Sequence, residues 1–444
     1  MKKQSFMDKL EEKLMPMAAK ISGNAHLQSI RDGFALAMPL LIIGSMFMLI
    51  SNFPIQSWMD LLRNTEVNGN TIASYFSAAT NATFTIMSIF VVIGIGYAYG
   101  GKLKVNQIFS GIVSLVAWFI LMPFSFEFTP EGSEEALTVN GLSFDWLGSK
   151  GVFIGIISAF LAVRIYKTII DKGLVIKMPA GVPPTVGQSF AALLPAAFVM
   201  TAFVLIRFIF SLTPWDNAFN FVYSVLQLPL QHIGGTLTAM ILVYLFAHIL
   251  WFLGIHGTNI TDSMFMPILY ALSAENLAKV NAGQLPENII NVQFQNLFAT
   301  YGGAGSTLSL LIVAVLIAKS KRLKQLSKLS ILPAIFGINE PVIYGLPIVL
   351  NPILMVPFIL VPTINIIISY ITMNIGLVPI PNGVIMPWTT PPIVSGFLSS
   401  NWQGAVLQIF LIALGCLIYY PFVVAIDKNN LIQEEELANE SEEA

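Results

Sequence analysis

Long apolar runs, separated by short polar or charged segments, dominate the chain. Five runs in the first half are uninterrupted, and each approaches the ~20 apolar residues that a helix needs to cross a bilayer. They lie at 34–50, 83–99, 108–122, 152–169 and 190–212. Similar runs at 237–253, 352–370 and 406–424 follow in the second half. The pattern predicts an all-α polytopic membrane protein with about ten transmembrane helices, re-entrant hairpins and amphipathic helices.

The second half differs from the first because polar breaks, rich in glycine and proline, interrupt its apolar runs. The breaks lie at 254–262, 331–346 and 379–392, and the runs at 264–272 and 289–300 are too short to span a bilayer alone. Irregular backbone at membrane depth survives only where protein or a water-filled cavity surrounds it. Broken helices are also the best sequence indicator of a transporter's substrate site. We therefore predict that the second half carries the substrate site.

Glu340 stands in the middle of the second break, between Gly337 and Pro341. Asn339 is a favourable N-cap, and the first turn of a helix tolerates proline because its N–H groups have no partner within the helix. We expect one helix to end near Gly337 and the next to begin at Asn339. Glu340 would then lie at the positive end of the second helix, where a carboxylate is stabilised. The alternative is a capped, water-exposed loop, but ionisable residues at membrane depth are functional by default.

The first break contains His256, Asn259 and Asp262. The spacing of Asn259 and Asp262 is that of an N-cap and the third helical residue, which favours a structural role for both. His256 caps nothing in this interpretation and lies at the end of a span, so a functional and a structural role stay equally open for it. His232 and His248 are interpreted as structural.

The third break contains Asn382, Trp388 and Thr389 among prolines and a glycine. Trp388 has two interpretations, an aromatic residue of the membrane interface or a platform for a sugar ring. An indole face suits the apolar C–H face of a sugar, and the side chains of Asn382 and Thr389 suit its hydroxyl groups. This break is therefore also a candidate for substrate contacts.

Composition supports the membrane interpretation, since 55% of the residues are hydrophobic and 10% are charged, against roughly 25% charged in soluble domains. A net charge of -2 gives no argument for binding nucleic acid. Cys416 is the single cysteine and lies inside an apolar run, which excludes a disulfide framework and leaves no metal or redox motif. No metal and no cofactor are expected.

The distribution of charge predicts the orientation of the chain in the membrane. Basic residues follow the second and fourth spans and five more occupy 319–328, whereas the 123–150 loop is mainly acidic. By the positive-inside rule both termini are cytoplasmic and the acidic loop is external. The N-terminus lacks the features of a cleavable signal peptide. The expected regions are a cytoplasmic amphipathic segment at 1–32, a half with five spans at 33–235, a half with broken helices at 236–427 and a disordered acidic cytoplasmic tail at 428–444.

Several motifs resemble those of a known family. They are Trp-Phe-Leu-Gly-Ile-His-Gly at 251–257, Gly-Ile-Asn-Glu-Pro at 337–341, Pro-Trp-Thr at 387–389 and Gly-Val-Pro-Pro-Thr-Val-Gly-Gln-Ser-Phe at 181–190. Together and in this order they resemble the membrane-embedded IIC permease of the bacterial sugar phosphotransferase system (PTS). The branch they are most similar to is that for lactose, cellobiose and N,N′-diacetylchitobiose, and the likeness covers residues 5–430.

The resemblance implies a homodimer in the bacterial plasma membrane, in surrounding lipid, with the first half as the dimer interface. The second half would hold a β-linked disaccharide between two re-entrant hairpins and carry it inward by an elevator-like movement. Family roles transfer to His256 and Glu340 as the catalytic pair that binds the hydroxyl to be phosphorylated. Further candidates for sugar binding are Asn259, Asn339, Asn382, Trp388 and Thr389.

The resemblance also implies partners. The chain is expected to lack a phosphocysteine domain and not to be an enzyme by itself. A separate IIB protein, supplied with phosphate by IIA, would phosphorylate the sugar. The residues alone also fit a proton-coupled sugar symporter that uses Glu340 and His256. A membrane-embedded transferase acting on lipid is disfavoured, since clustered metal-binding carboxylates are missing. The sequence does not distinguish cellobiose, diacetylchitobiose and lactose.

Overall fold

The first half of the chain is a helical bundle. The structure is a computed structural model that describes residues 16, 20, 23–51, 56–128, 137–179, 181–346, 348 and 351–443. Most of the amphipathic segment expected at 1–32 lies outside these residues. The helices of the first half are α1 (Ala25–Ser51), α2 (Gln56–Asn64), α3 (Ile72–Asn81), α4 (Met87–Lys102), α5 (Gln107–Leu121), α6 (Phe144–Leu147), α7 (Val152–Asp171) and α8 (Pro184–Ser211).

Two short antiparallel hairpins accompany these helices. They pair β1 (Glu66–Val67) with β2 (Asn70–Thr71), and β3 (Ser125–Phe128) with β4 (Leu137–Asn140). Asn68 and Gly69 both have positive φ at the tip of the first hairpin, as the two central residues of its tight turn require. The hairpins thus join helices without adding a sheet to the core.

The second half is also helical, but its helices are more often interrupted. They are α9 (Ala218–Val222), α10 (Leu228–Gly234), α11 (Leu237–Phe252), α12 (Gly257–Asn281), α13 (Val292–Phe294), α14 (Thr307–Ile317), α15 (Lys321–Ile335), α16 (Glu340–Gly345), α17 (Pro352–Asn374) and α18 (Val394–Glu443). The segment Gln295–Ala299 forms a π-helical turn. Non-helical backbone at Ser400 and Asn401 divides α18 near its start.

Several helices have the length and composition of membrane spans. Within the described ranges six qualify, and a seventh span results if the bent pair Ala218–Gly234 and Leu237–Phe252 counts as one. Helices α4 and α5 are apolar but shorter. The mainly helical membrane architecture is therefore confirmed, whereas the count of about ten spans stays a prediction.

Close glycine contacts fix α1 against α4. A Cβ atom on Gly33 would lie 2.6 Å from the backbone N of Ile95, and one on Gly94 would lie 2.5 Å from the carbonyl O of Gly33. Side chains do not approach backbone atoms that closely, so the spacing of the two helices requires small residues at both positions. Helix α1 is therefore a fixed part of the first half.

The first break of the second half is shorter than the sequence predicted. Helix α12 is continuous over 25 residues and contains Pro267, although 264–272 was expected to be a separate short run. The irregular backbone is confined to the turn before it, where Gly254 has a φ of +82°. The predicted break extends too far, because the helix start was assigned to Asn259, whereas residues from Gly257 onward already form the first turn of α12.

The acidic C-terminal segment is helical in the structure, and the prediction of a disordered tail is wrong. Helix α18 continues through Glu443. The segment contains neither proline nor glycine after Pro421 and is rich in Leu, Glu and Ala, which are good helix formers. Its acidic side chains also have partners within the chain.

Two of those acidic side chains hold the start of the basic helix α15. Asp427 accepts hydrogen bonds from Lys319 N, at 2.8 Å, and from Ser320 N and Oγ, at 3.0 and 2.6 Å. Glu434 accepts from the next two backbone N–H groups, at 3.0 and 2.9 Å. The start of a helix leaves four N–H groups without a partner in the helix. Two carboxylates spaced seven residues apart on α18 thus satisfy the start of α15.

Candidate functional site

A cavity of ≈ 500 Å³ lies where the breaks of the second half meet α1 of the first half. The predicted site residues on its wall are His256, Asn259, Asn339, Glu340 and Trp388. All of these except Asn339 are solvent-exposed, so the cavity is accessible to water. Three breaks that are distant in sequence therefore converge on one space.

Aromatic residues mark the boundary between the two halves at this cavity. Phe34 of α1 stacks on Tyr270 of α12, with 5.1 Å between ring centroids and 14° between ring planes. Both side chains line the cavity. One wall of the cavity thus belongs to the first half and the other to the second.

His256 is the N-cap of α12, a role that the sequence assigned to Asn259. Its Nδ1 accepts a hydrogen bond from the Asn259 amide at 3.3 Å and lies 3.1 Å from Thr258 Oγ1. A ring nitrogen that accepts from an N–H carries no proton, so the neutral ring holds its proton on Nε2. The ring also packs on Trp251, with 4.2 Å between centroids. The prediction that His256 caps nothing is wrong, because an imidazole nitrogen replaces the usual oxygen cap and Asn259 and Asp262 lie inside the helix.

Glu340 is the first residue of α16, as the sequence predicted, and Gly337 before it has a φ of +80°. Asn339 occupies the N-cap position but its side chain makes no capping hydrogen bond. Instead, Asn339 Nδ2 donates to the carbonyl O of Ala304 at 2.9 Å. The amide also packs closely on Gly303, where a Cβ atom would lie 2.5 Å from Asn339 Cγ. Asn339 therefore anchors the Glu340 break to the neighbouring glycine-rich loop.

That loop, at 302–306, is itself fixed by buried groups. Gly305 N–H donates to His248 Nε2 at 3.0 Å, and Tyr419 OH donates to the carbonyl O of Gly305 at 2.6 Å. Both His248 and Tyr419 are fully buried. His248 thus helps to hold the loop to which Asn339 ties the Glu340 break, and it also lines the cavity, so its structural interpretation stays a prediction.

Trp388 lies beside the Glu340 break. Its side chain is 53% exposed, and its six-membered ring packs on Gly337, where a Cβ atom would lie 3.0 Å from Trp388 Cε3. The positive φ of Gly337 already favours glycine, and this contact leaves little room for a side chain. The packing places the six-membered ring of the indole beside the turn that precedes Glu340.

Asn382 and Thr389 are not among the residues that line the cavity. Asn382 Nδ2 donates to the carbonyl O of Leu398 at 3.2 Å, and its Oδ1 accepts from the backbone N–H two residues further on, at 3.0 Å. These bonds shape a turn of the third break. Thr390 lines the cavity in place of Thr389, and its Oγ1 donates to the carbonyl O of Pro387 at 2.7 Å.

Asp262 lines the cavity, although the sequence gave it a capping role. Its Oδ1 accepts a hydrogen bond from Gln295 Nε2 at 2.9 Å, and Tyr244 OH donates to the Gln295 carbonyl at 3.2 Å. Thr300 lies on the same wall. In the sequence, the adjacent polar residues 295–296 inside an apolar run were the signal that could have indicated this part of the cavity wall. Among the described residues, no cluster of three or more His, Cys, Asp or Glu side chains is arranged to hold a metal ion.

Arg31 is the further site residue that the sequence did not indicate, because it lies near the start of α1, in the segment that was expected to precede the first span. Within the described part of the wall it is the one Lys or Arg side chain. It also lines an adjoining pocket of ≈ 180 Å³ together with His256 and Asn259. Its Nε and Nη2 donate to Asp32 Oδ1 at 3.0 and 2.7 Å, and Lys102 Nζ lies 3.6 Å from Asp32 Oδ2.

Comparison with known proteins identifies the family. The family model "Phosphotransferase system, EIIC" matches residues 31–362. The chain is 40% identical over 435 residues to the oligo-beta-mannoside-specific EIIC component of Bacillus subtilis (98% of this chain, 97% of the relative). It is likewise 40% identical over 435 residues to the cellobiose-specific EIIC component of Geobacillus stearothermophilus (97% and 96%).

A solved structure has the same fold. The crystal structure of the transporter ChbC, the IIC component of the N,N′-diacetylchitobiose-specific phosphotransferase system, matches with a TM-score of 0.92 and 40% identity. The match covers 96% of this chain and 99% of that chain. The resemblance seen in the motifs is thereby confirmed over nearly the full length. The chain belongs to the EIIC family of the phosphotransferase system.

Proposed function

We propose that this permease binds a β-linked disaccharide from outside, carries it inward and presents a hydroxyl group for phosphorylation by a separate phospho-IIB protein. The observation that carries the proposal is the convergence of Glu340, His256 and Trp388 on one water-accessible cavity of ≈ 500 Å³. The substrate class is supported by relatives named for cellobiose, for oligo-beta-mannosides and for N,N′-diacetylchitobiose. Each of these names denotes a β-linked sugar.

The side chains offer complementary contacts for such a sugar. The indole of Trp388 provides a flat apolar surface for the C–H face of one ring. The carboxylate of Glu340 accepts hydrogen bonds from hydroxyl groups, and Nε2–H of His256 donates to a hydroxyl oxygen. Asn259 and Asp262 supply further polar groups on the same wall. Asn339 acts through its position next to Glu340.

The protonation of His256 separates the roles of the two ionisable residues. A sugar hydroxyl that attacks phosphorus must give up its proton, which requires an acceptor within hydrogen-bonding distance. Neutral His256 has its proton on Nε2, because Nδ1 accepts from the Asn259 amide, so it is a donor to the sugar. Glu340 lies at the N-terminus of α16, where the ionised carboxylate is stabilised. We assign the role of general base to Glu340.

The packing supports a movement of the second half against the first. Helix α1 is fixed to α4 by Gly33 and Gly94, whereas the sugar ligands belong to α12, α16 and the third break. We propose an elevator-type displacement of the second half, with the first half forming the homodimer. Large apolar side chains on α8 remain exposed and are available to lipid or to the partner protomer, among them Phe198, Leu205 and Phe208.

The decisive experiment measures accumulation of radiolabelled cellobiose and diacetylchitobiose in vesicles that contain the purified permease. Without phospho-IIB, the vesicles should exchange sugar but not concentrate it. With phospho-IIB and a phosphate supply inside, sugar should accumulate, and all of the accumulated label should be sugar phosphate. The reason is that phosphorylation, not an ion gradient, traps the product.

An imposed proton gradient is the matched control for this measurement. If a proton gradient drives uphill accumulation of unmodified sugar without phospho-IIB, the chain is a symporter and the proposal fails. Vesicles with unphosphorylated IIB should behave like vesicles with none. Accumulation of free sugar in that control would also contradict the proposal.

A further inference from the structure

We propose that Arg31 of α1 holds the phosphoryl group while it passes from phospho-IIB to the sugar hydroxyl. The inference rests on the proposed function and adds to the reaction a residue from the other half of the chain. It starts from the two pockets that Arg31 lines, the sugar cavity and the adjoining pocket of ≈ 180 Å³. His256 and Asn259 lie on the walls of both.

The chemistry of the transfer requires a cation. The sugar oxygen forms a bond to phosphorus, the hydroxyl proton passes to Glu340, and the bond from phosphorus to the cysteine sulfur of IIB breaks. The sulfur leaves as a thiolate with the electron pair. Negative charge on the three phosphoryl oxygens is stabilised in such reactions by arginine, lysine or a metal ion. A phosphoryl group approaching the carboxylate of Glu340 without a cation would be repelled.

Arg31 is the residue on the cavity wall that meets this requirement among those described. Its guanidinium is permanently charged, whereas His256 is neutral in the arrangement set by its cap. Arg31, His256 and Glu340 all line the sugar cavity, so the guanidinium shares one space with the groups proposed to bind the sugar hydroxyl.

The side chain of Arg31 has donors to offer. Its hydrogen bonds to Asp32 Oδ1 use two of the five N–H groups of the guanidinium. The side chain is 43% exposed, and Asp32 has a second cation, Lys102, at 3.6 Å. Arg31 can therefore turn from Asp32 to a phosphate without leaving that carboxylate unpaired. Carboxylate and phosphate suit the same fork of guanidinium donors.

The location of the smaller pocket fits the direction from which the phosphate arrives. Its wall combines Leu27 and Arg31, near the start of α1, with residues at the start of α12. The predicted topology places the start of α1 at the cytoplasmic side, where a soluble phospho-IIB must dock. On that predicted topology, the pocket joins the cytoplasmic end of α1 to His256.

The location of Arg31 in the first half also restricts when phosphorylation can occur. Gly33, two residues from Arg31, fixes α1 to the first half, while the sugar is held by the second half. Arg31 and the sugar hydroxyl then meet only when the second half is placed against the start of α1. Phosphorylation is thereby restricted to that position of the transport cycle.

Variants of Arg31 separate phosphate transfer from sugar handling. In purified protein we expect Arg31→Gln to slow single-turnover phosphorylation by saturating phospho-IIB about a hundredfold, the loss typical of one removed charge-stabilising donor. Arg31→Lys should lose less, because it keeps the charge but not the fork. The sugar Kd and sugar counterflow without IIB involve no phosphate, and both should change far less than phosphorylation.

Arg164→Gln is the matched control, since it removes an exposed arginine of α7 that does not line the cavity. It should leave all three measurements unchanged. Equal losses of binding, counterflow and phosphorylation in Arg31→Gln would show a structural role and overturn the proposal. Undiminished phosphorylation would overturn it too. If Arg31→Gln does not fold, the ratio of phosphorylation to binding in Arg31→Lys decides. If phospho-IIB does not phosphorylate sugar bound to the wild-type protein, the proposed function is refuted before any variant is made.

Discussion

The position of Glu340 at the cavity is set by the backbone and side chains of its neighbours. Gly337 gives the backbone its turn, and Asn339 ties the turn to Ala304. The carboxylate is left facing water at the start of α16. A residue placed in this way can accept both a hydrogen bond and a proton from a ligand without breaking a contact of the fold.

We expect Glu340→Gln to weaken disaccharide binding roughly ten- to a hundredfold. A hydrogen bond to a charged group contributes about 1.5–3 kcal/mol, and ~1.4 kcal/mol is a factor of ten in affinity. Phosphorylation should fall further than binding, because an amide cannot accept the hydroxyl proton. Isothermal titration gives the Kd, and a phosphorylation assay with saturating sugar and phospho-IIB gives the rate.

Glu66→Gln, an exposed glutamate in the β1 hairpin, is the control and should change neither quantity. The elution volume of each variant must match that of the wild type. A correctly assembled Glu340→Gln protein that binds and phosphorylates sugar normally would leave Glu340 with the role of a helix start alone.

The backbone at Glu340 was predictable because Gly337, Asn339 and Pro341 are local signals for a helix end and a helix start. The cap at His256 was not, since imidazole is absent from the favoured N-cap side chains and the local pattern pointed to Asn259. Arg31 and Asp262 join the cavity through tertiary packing. No local pattern reports which distant residue will complete a site.

At the scale of elements, α15 links the C-terminal helix α18 to the site. Its start is held by Asp427 and Glu434 of α18, and its end leads through Gly337 to Glu340. The C-terminal helix and the Glu340 break are therefore connected through one rigid element. Loss of the hydrogen bonds that hold the start of α15 should lower the stability of the protein more than it changes the site.

We expect Asp427→Ala to lower the thermal stability of the purified protein. The change leaves three donors at Lys319 and Ser320 without their charged acceptor, and one such bond contributes about 1.5–3 kcal/mol. A scanning fluorimetry midpoint several degrees below that of the wild type would be the result. Asp171→Ala removes the carboxylate of a surface pair with Lys167 and should shift the midpoint much less, since exposed i,i+4 pairs contribute about 0.3–0.5 kcal/mol.

An unchanged midpoint for Asp427→Ala would show that solvent replaces the carboxylate without loss of stability.

The helical C-terminal segment shows why the sequence pattern gave a wrong prediction here. A run of glutamates predicts disorder when it is considered alone, but α18 extends from a membrane span and finds the unpaired N–H groups of α15. That partner is more than a hundred residues earlier in the chain.

At the scale of the whole molecule, orientation in the membrane decides which face would meet the proposed partner, phospho-IIB. The cytoplasmic placement of α15 and the external placement of the β3–β4 hairpin both rest on the distribution of charged residues. The two elements are exposed at Gln325 and Thr138. They therefore offer labelling positions for the two sides.

We expect Thr138→Cys to react with a membrane-impermeant maleimide on intact cells, in a Cys416→Ser background. Gln325→Cys should react only after the membrane is permeabilised. Each cysteine is a control for the other, because the cells and the reagent are the same. Labelling of both positions from outside would refute the topology and, with it, the cytoplasmic approach to Arg31.

The division into a regular and an interrupted half was visible in the pattern of apolar runs, and the fold class follows from it. The number of spans does not follow as directly, because α4 and α5 are shorter than the usual span and α9–α11 bend sharply. The pattern measures the length of an apolar run. It does not report whether a run crosses the bilayer, lies in it at an angle or turns back.

The stacked pair of Phe34 and Tyr270 has a consequence for inhibitors. It stands where the two walls of the cavity meet, one ring from each half. The two rings are in contact, so a β-glycoside with a flat aromatic aglycone would have to replace the Phe34–Tyr270 contact while its sugar binds the polar side chains of the second half. Such a compound would contact both halves at once and act as a wedge, competing with the disaccharide without being delivered to the other side.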